Sequence, residues 1–255
     1  MPILCYHSVD GEWDDPMALP PPSFAEQCAW LAEHREVVPL TDLLDATSMG
    51  GRGRRATAIT FDDGFADFAS EAAPVLARHS LPVTHFLVAQ TLEPGNGGAD
   101  WLRPQPDPAP ATMTTDQVLE LQESGVRFGS HSWAHRELTE LSEAECVRDL
   151  RDSRELLEDL LHEPVRLLAY PYGSHAPHVR RAADKAGYRF SFSLPAGPEA
   201  NDDQAVPRVG IYRRDSMTAV RIKCSSWYMP LQMSPLRPAL RQGNNVLRRL
   251  TGRAA

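Results

Sequence analysis

The 255-residue chain predicts an α/β domain built on a barrel-like parallel sheet. Short apolar or β-branched runs alternate with helical patterns along most of its length, and no internal repeat of fixed period is present. The clearest strand run, 56–61 (Ala-Thr-Ala-Ile-Thr-Phe), is apolar enough for a strand covered on both faces. It ends abruptly in Asp62-Asp63-Gly64, and parallel barrels gather their functional loops at the C-terminal ends of strands.

Taken in order, Pro2 to Tyr6 reads as a short buried strand ending at His7. Residues 8–22 are a loop by composition. Ser23-Phe24-Ala25-Glu26 has the form of a capping box and predicts a helix to His34. Val37 to Pro39 follows as a short strand, Thr41 as the cap of a brief helix to Ala46, and Ser48 to Arg55 as a Gly/Arg linker. Beyond the acidic pair, Asp67 to His79 predicts an amphipathic helix burying Phe68, Ala72, Val75 and Leu76, and Val83 to Val88 a strand. Such a β-loop-α-β unit requires parallel pairing and a right-handed crossover.

Residues 91–112, rich in Gly, Pro and Ala, read as an inserted lid or disordered loop, with Trp101 lining a groove. A helix from Thr115 to Ser124 stops at Gly125 and feeds the strand Val126 to Phe128. Ser142-Glu143-Ala144-Glu145 opens a long helix to His162. Val165 to Tyr170 is a strand ending in Pro171-Tyr172-Gly173, followed by a helix from Ala176 to Ala186 that Gly187 closes. Tyr188 to Leu194 and Ala205 to Val209 complete the strands.

Composition bounds the function. The net charge of −8 is uneven, because residues 213–255 hold nine Lys/Arg and one acid while the rest is strongly acidic. A body of that sign repels a phosphate backbone, so a nucleic-acid partner is not expected. No run reaches the ~18 apolar residues of a spanning helix. The first residues have no basic start or apolar core of a leader, and Cys5, Cys28, Cys146 and Cys224 are scattered. The expectation is isolated thiols in a cytoplasmic protein.

Adjacent residues on a regular strand point to opposite faces, so Asp62 and Asp63 serve one site only if the strand breaks, which Gly64 permits. A bare acidic pair more often makes a turn or a helix cap. A second partial site alters that balance: His131 and His135, at i and i+4, would share one side of a helical turn, and two imidazoles with a carboxylate form a common zinc set.

Thr60-Phe61-Asp62-Asp63-Gly64, His131-Ser132-Trp133-Ala134-His135 and Pro171-Tyr172-Gly173, in that order, resemble the motifs of polysaccharide deacetylases of the NodB-homology type, carbohydrate esterase family 4. The likeness spans most of residues 1–212 and implies a distorted (β/α)7-type barrel there, with 213–255 a basic extension. It implies one divalent metal, zinc with cobalt or nickel as alternatives, held by Asp63, His131 and His135, with Asp62 as general base. Tyr172, with Pro171 and Trp133, would line the substrate and oxyanion side. The opening Pro2-Ile3-Leu4-Cys5-Tyr6-His7 resembles a branch in which this first-strand histidine is the general acid, with His175 its rival. The implied reaction removes N-acetyl groups from an amino sugar or its polymer. Hydrolysis of another linear or cyclic amide, or carbohydrate binding without catalysis, are the alternatives.

The chain departs from the family pattern twice. Ala169 and Tyr170 stand where many members carry an arginine that orients the base, and Ser191-Phe192-Ser193 stands in the region of a late Asp-rich motif. The basic tail (Arg221, Lys223, Arg237, Arg241, Arg248, Arg249 and Arg253 among apolar residues) reads as a solvated extension or as a peripheral contact with the inner membrane surface.

Overall fold

The computed structural model describes residues 1–48, 56–96 and 98–235. Nine strands are assigned among them: β1 (Ile3–Tyr6), β2 (Glu36–Val37), β3 (Ala56–Phe61), β4 (Val83–Leu87), β5 (Arg127–Ser130), β6 (Leu167–Ala169), β7 (Phe190–Ser193), β8 (Val206–Pro207) and β9 (Val209–Gly210). The order is β8-β7-β6-β5-β4-β3-β1-β9, with β2 added beside β3, and every pairing is parallel. Only Arg208 separates β8 from β9, so one extended segment pairs with β7 on one side and with β1 on the other. That segment joins the two ends of the sheet. Counted as one stave, it makes a seven-staved (β/α) barrel of the kind expected.

Strand alternation sorts the side chains into two layers. Ile3, Ala56, Ala58, Phe86, Leu167, Ala169, Phe190 and Phe192 form the interior cluster. Leu4, Tyr6, Ile59, Phe61, Val83, Leu87, Phe128, Leu168 and Tyr170, with the opposite parity, pack outward under the helices. Small residues on the inner face leave room for Phe86 and Phe192, whose rings stand 5.4 Å apart. Gly129 belongs to that economy: a Cβ there would meet Phe86 at 2.7 Å.

The helices are α1 (Pro21–His34), α2 (Leu40–Ser48), α3 (Ala73–Arg78), α4 (Thr115–Glu123), α5 (Glu143–Leu161), α6 (Pro177–Ala186), α7 (Met217–Lys223) and α8 (Tyr228–Gln232). Capping boxes at Thr114 and Ser142 open α4 and α5, and Gly187 in a left-handed conformation closes α6. The expected box at Ser23 is absent, because α1 already begins at Pro21, where prolines fit the first turn without wasting a donor. Thr41 likewise lies inside α2 rather than capping it. The helix expected from Asp67 to His79 is π-helical over Phe68–Ala72 before α3 begins. Most of the Ser48–Arg55 linker lies outside the described residues.

The insertion after β4 is neither patternless nor a loose lid over its described residues. Phe65 bridges Thr112, Gly98 bridges Ala111, and Met113 N–H donates to Gly64 O at 2.8 Å. Phe65, Val88, Ala99, Trp101 and Leu102 form a small core of their own, with Trp13 and Met17 against it. All four cysteines are free and buried.

Residues 213–235 pack on the barrel, with Val220 and Cys224 in the outer core. Arg213 donates to the carbonyls of Asp10, Gly11, Trp13 and Ala18. Of the cations in the basic tail, Arg221 lies over the Trp30 ring and Lys223 binds Asp215 and Gly210 O. Arg237 to Arg253 lie outside the described residues. No helix among the described residues is long and apolar enough to cross a membrane.

Replacing Gly129 by alanine is expected to cost about 1–3 kcal/mol, because the added methyl must displace the Phe86 ring inside a closed layer. Urea denaturation measures it, and an unchanged midpoint would contradict the packing described.

Candidate active site

The inward parity of the strands continues past their C-terminal ends. Cys5 and His7 extend the inner face of β1, Thr60 and Asp62 that of β3, His131 that of β5, and Arg208 points inward from between β8 and β9. Each of these side chains is buried. One end of the barrel therefore collects them.

Asp63 is next in the chain and, on a straight strand, would face the opposite way. It adopts φ 74° and Gly64 φ 74°, so the backbone turns left-handed for two residues. The turn returns the Asp63 carboxylate to the side of the histidines. Asp63 Oδ1 lies 3.2 Å from His135 Nε2 and 3.4 Å from His131 Nε2.

The histidines converge by a route other than the expected helical turn. Residues 131–137 are a bent loop in which Ser132 and His135 both have positive φ. Ser132 N–H donates to Ser130 Oγ and His135 N–H to Ser132 Oγ, each at 3.1 Å. Asp149, buried on α5, accepts from Trp133 N–H at 2.9 Å and from Arg136 at 3.0 Å. Side-chain hydrogen bonds of this kind compete with helix formation.

These two imidazoles and the carboxylate fit a divalent cation. His131 Nδ1 donates to Ala169 O at 2.8 Å, which leaves the Nε2 lone pair facing Asp63. Asp63 Oδ1 is buried with no hydrogen-bond partner, and its contacts with the two rings are longer than the ~2.8 Å of a charge-assisted bond. Two nitrogen or oxygen ligands on a tetrahedral zinc stand roughly 3.3 Å apart, which is the separation of Asp63 Oδ1 from each histidine nitrogen. Burial by itself would raise the Asp63 carboxyl, yet the two histidines hold it well below the usual range. Burial pushes His135 down; at His131 burial acts the same way, but the Asp62 and Asp63 carboxylates and the Ala169 carbonyl together outweigh it and lift the group.

Asp62 has different company. Burial would raise its carboxyl too, but Arg208 overrides that and keeps it ionised far below the ordinary carboxylate range. The guanidinium meets it fork to fork, Nη1 to Oδ1 at 2.7 Å and Nη2 to Oδ2 at 2.6 Å, and Arg208 Nη1 also donates to Thr60 Oγ1. The cation stands 5.3 Å from the Phe86 ring centre. Cys5 donates its thiol hydrogen to Oδ2 at 3.3 Å. A ligating atom of His7 lies within 4.8 Å of those of Asp62 and Cys5, and His7 Nδ1 is buried without a partner.

Two aromatic rings enclose His135. Trp101 stacks on it at 5.0 Å, and the half-exposed Tyr172, held at φ 59° after Pro171, meets it edge-on at 4.6 Å. Trp133 packs against the outer core. Trp101 also lines a cavity of about 400 Å³ with Gln90, Asn96, Asp100 and Gln105. His175 pairs with Glu199 at 3.4 Å and tilts against Tyr170.

A family model described as polysaccharide deacetylase matches residues 50–191. The chain belongs to the polysaccharide deacetylase family. Among relatives of this deacetylase-family chain, YxkH of Bacillus subtilis (strain 168) is 24% identical over 204 residues, covering 79% of this chain and 67% of that one. A poly-beta-1,6-N-acetyl-D-glucosamine N-deacetylase of Staphylococcus aureus (strain MRSA252) is 25% identical over 199 residues, covering 73% of this chain and 65% of that one. The chain thus spans about two thirds of the length of these relatives. The structure of the Streptococcus pyogenes deacetylase PplD in complex with acetate superposes with a TM-score of 0.75 at 21% identity, over 88% of this chain and 98% of that one, and shows the same fold.

Sequence reasoning missed Arg208, although a signal was present. It is a lone cation inside the apolar strand run 205–209, and an arginine there stays buried only if paired. Asp149 and His85 gave no comparable signal.

Arg208→Met leaves the Asp62 carboxylate buried and unpaired and is expected to destabilise the protein by about 3–5 kcal/mol. Adding Asp62→Asn should recover much of that loss in a denaturation cycle. Additive losses would mean that the two side chains do not depend on each other.

Proposed function

We propose that the protein is a metal-dependent N-deacetylase acting on an N-acetylated amino sugar within an oligomer or polymer. One observation carries the reading: two consecutive buried carboxylates are given separate partners, Asp62 an arginine fork and Asp63 a pair of imidazoles. A structural turn has no use for that division.

Asp63, His131 and His135 would hold the cation. When bound, it supplies a Lewis acid for the acyl oxygen and acidifies a water to a pKa near 7. Asp62 receives the proton of the attacking water. Arg208 keeps that carboxylate ionised and fixes its plane, so the base is ready without rotating. The backbone N–H of Tyr172, in the Pro171–Gly173 turn, is assigned to the developing oxyanion, a contact worth roughly 3 kcal/mol. An amide nitrogen leaves only as an amine, so a proton must reach it. His7, beside Asp62, is the acid; His175 is engaged by Glu199 instead.

The substrate class is supported by the family and by the Staphylococcus aureus relative's stated substrate. The cavity beside Trp101 agrees, since an aromatic ring with amide and carboxylate side chains suits a hydroxyl-rich ring. Zinc suits the nitrogen-and-oxygen ligand set, with cobalt or nickel as substitutes.

Acetate release from β-1,6-linked N-acetylglucosamine oligomers, set against N-acetylated amines and cyclic imides, tests the reading. Asp62→Asn is expected to lower kcat at least ~100-fold with metal content unchanged, and His7→Ala by a factor of about 10²–10⁴. Asp63→Ala should lose the metal itself. Wild-type turnover in Asp62→Asn, or hydrolysis confined to non-sugar amides, would overturn the proposal.

A further inference from the structure

His85 takes no part in the chemistry above, yet it is completely buried directly against the catalytic turn. It sits in β4, paired in register with Phe61 of β3 on one side and Phe128 of β5 on the other. Phe68 meets its ring edge-on at 4.4 Å, and Phe61 and Phe128 lie 5.7 and 6.4 Å away. The surroundings are those of a phenylalanine. An imidazole here leaves Nδ1 buried with no partner, a net cost that packing alone would not select.

Its other nitrogen has specific company. Gly64 N–H donates to His85 Nε2 at 3.1 Å, and Asp62 O approaches the same atom at 3.2 Å. Those two backbone groups flank Asp63, the residue whose left-handed conformation undoes the strand alternation. Nε2 cannot serve both groups: a backbone N–H only donates, so pairing with Gly64 puts the lone pair on Nε2 and the ring proton on Nδ1, with Asp62 O a close contact rather than an acceptor.

We infer that His85 is a positioning residue that pins the Asp63–Gly64 turn, so that the two neighbouring carboxylates address one site. The inference rests on the proposed reading of those carboxylates. Without this acceptor, Gly64 N–H is orphaned and the turn relaxes toward extended backbone, which carries Asp63 away from His131 and His135.

The test uses the full chain with His85→Phe and His85→Gln, the latter placing an amide oxygen at a similar reach. His85→Phe is expected to remain folded and at least as resistant to urea as the parent. In metal-free protein its Gly64 amide should exchange with solvent at least ~10-fold faster. Zinc affinity, read by chelator competition, should fall about 10–100-fold. Turnover should fall comparably, with KM little changed, and His85→Gln should recover most of both losses. Parent-like Gly64 exchange and zinc affinity in His85→Phe would overturn the inference, as would a His85→Gln variant no better than His85→Phe. A parent whose nitrogen-15 spectrum shows the proton on Nε2 would overturn it too, whether or not either variant folds. Failure of the parent to bind zinc or release acetate would instead sink the reading of the site, and Gly64 exchange in metal-free protein would still decide what His85 holds.

Discussion

A carboxylate and a guanidinium, both shut away from water at the mouth of the barrel, tie its closure to its chemistry. Arg208 sits between the two short strands that join the ends of the sheet, and its side chain crosses the interior to Asp62 at the end of β3. Burying either charge alone would cost several kcal/mol, so each segment stabilises the other in its native place. The small inner residues Ala56, Ala58, Gly129 and Ala169 make the crossing possible, and the rings of Phe86 and Phe192 line it. Closure of the sheet and the ionised state of Asp62 are therefore coupled.

The same economy governs the neighbouring residue. A parallel barrel offers inward positions only at every second residue, and the site needs two carboxylates from consecutive positions. Left-handed backbone at Asp63 and Gly64 resolves the conflict at the cost of local strain. The strain is held by contacts from several elements: Met113 N–H on Gly64 O, His85 under the turn, and Asp149 organising the facing histidine loop. Trp101 and Tyr172 then close around His135. Function sits on irregular backbone, and a regular scaffold holds it there.

Much of this was legible along the chain. The run 56–61 announced a buried strand, and its sudden end in two acids became a candidate site once the later His and Pro-Tyr-Gly motifs stood in register with it. Local patterns misled where long-range partners decide. The i and i+4 spacing of His131 and His135 suggested a helical turn, but Ser130, Ser132 and Asp149 drew that backbone into a bent loop. The Gly/Pro-rich insertion looked patternless because its few apolar residues pack against Phe65 and Val88 from elsewhere in the chain.

By itself the sequence determined the strand parity, the parallel barrel and the identity of the carboxylate and histidine pairs, because periodicity and turn chemistry are local. Tertiary structure alone decided which cation holds Asp62. The arginine expected before Pro171 is absent, and Arg208, 146 residues from Asp62, takes that place. Nothing local to either residue encodes the pairing; it exists only because the last strand segment closes the sheet between β7 and β1.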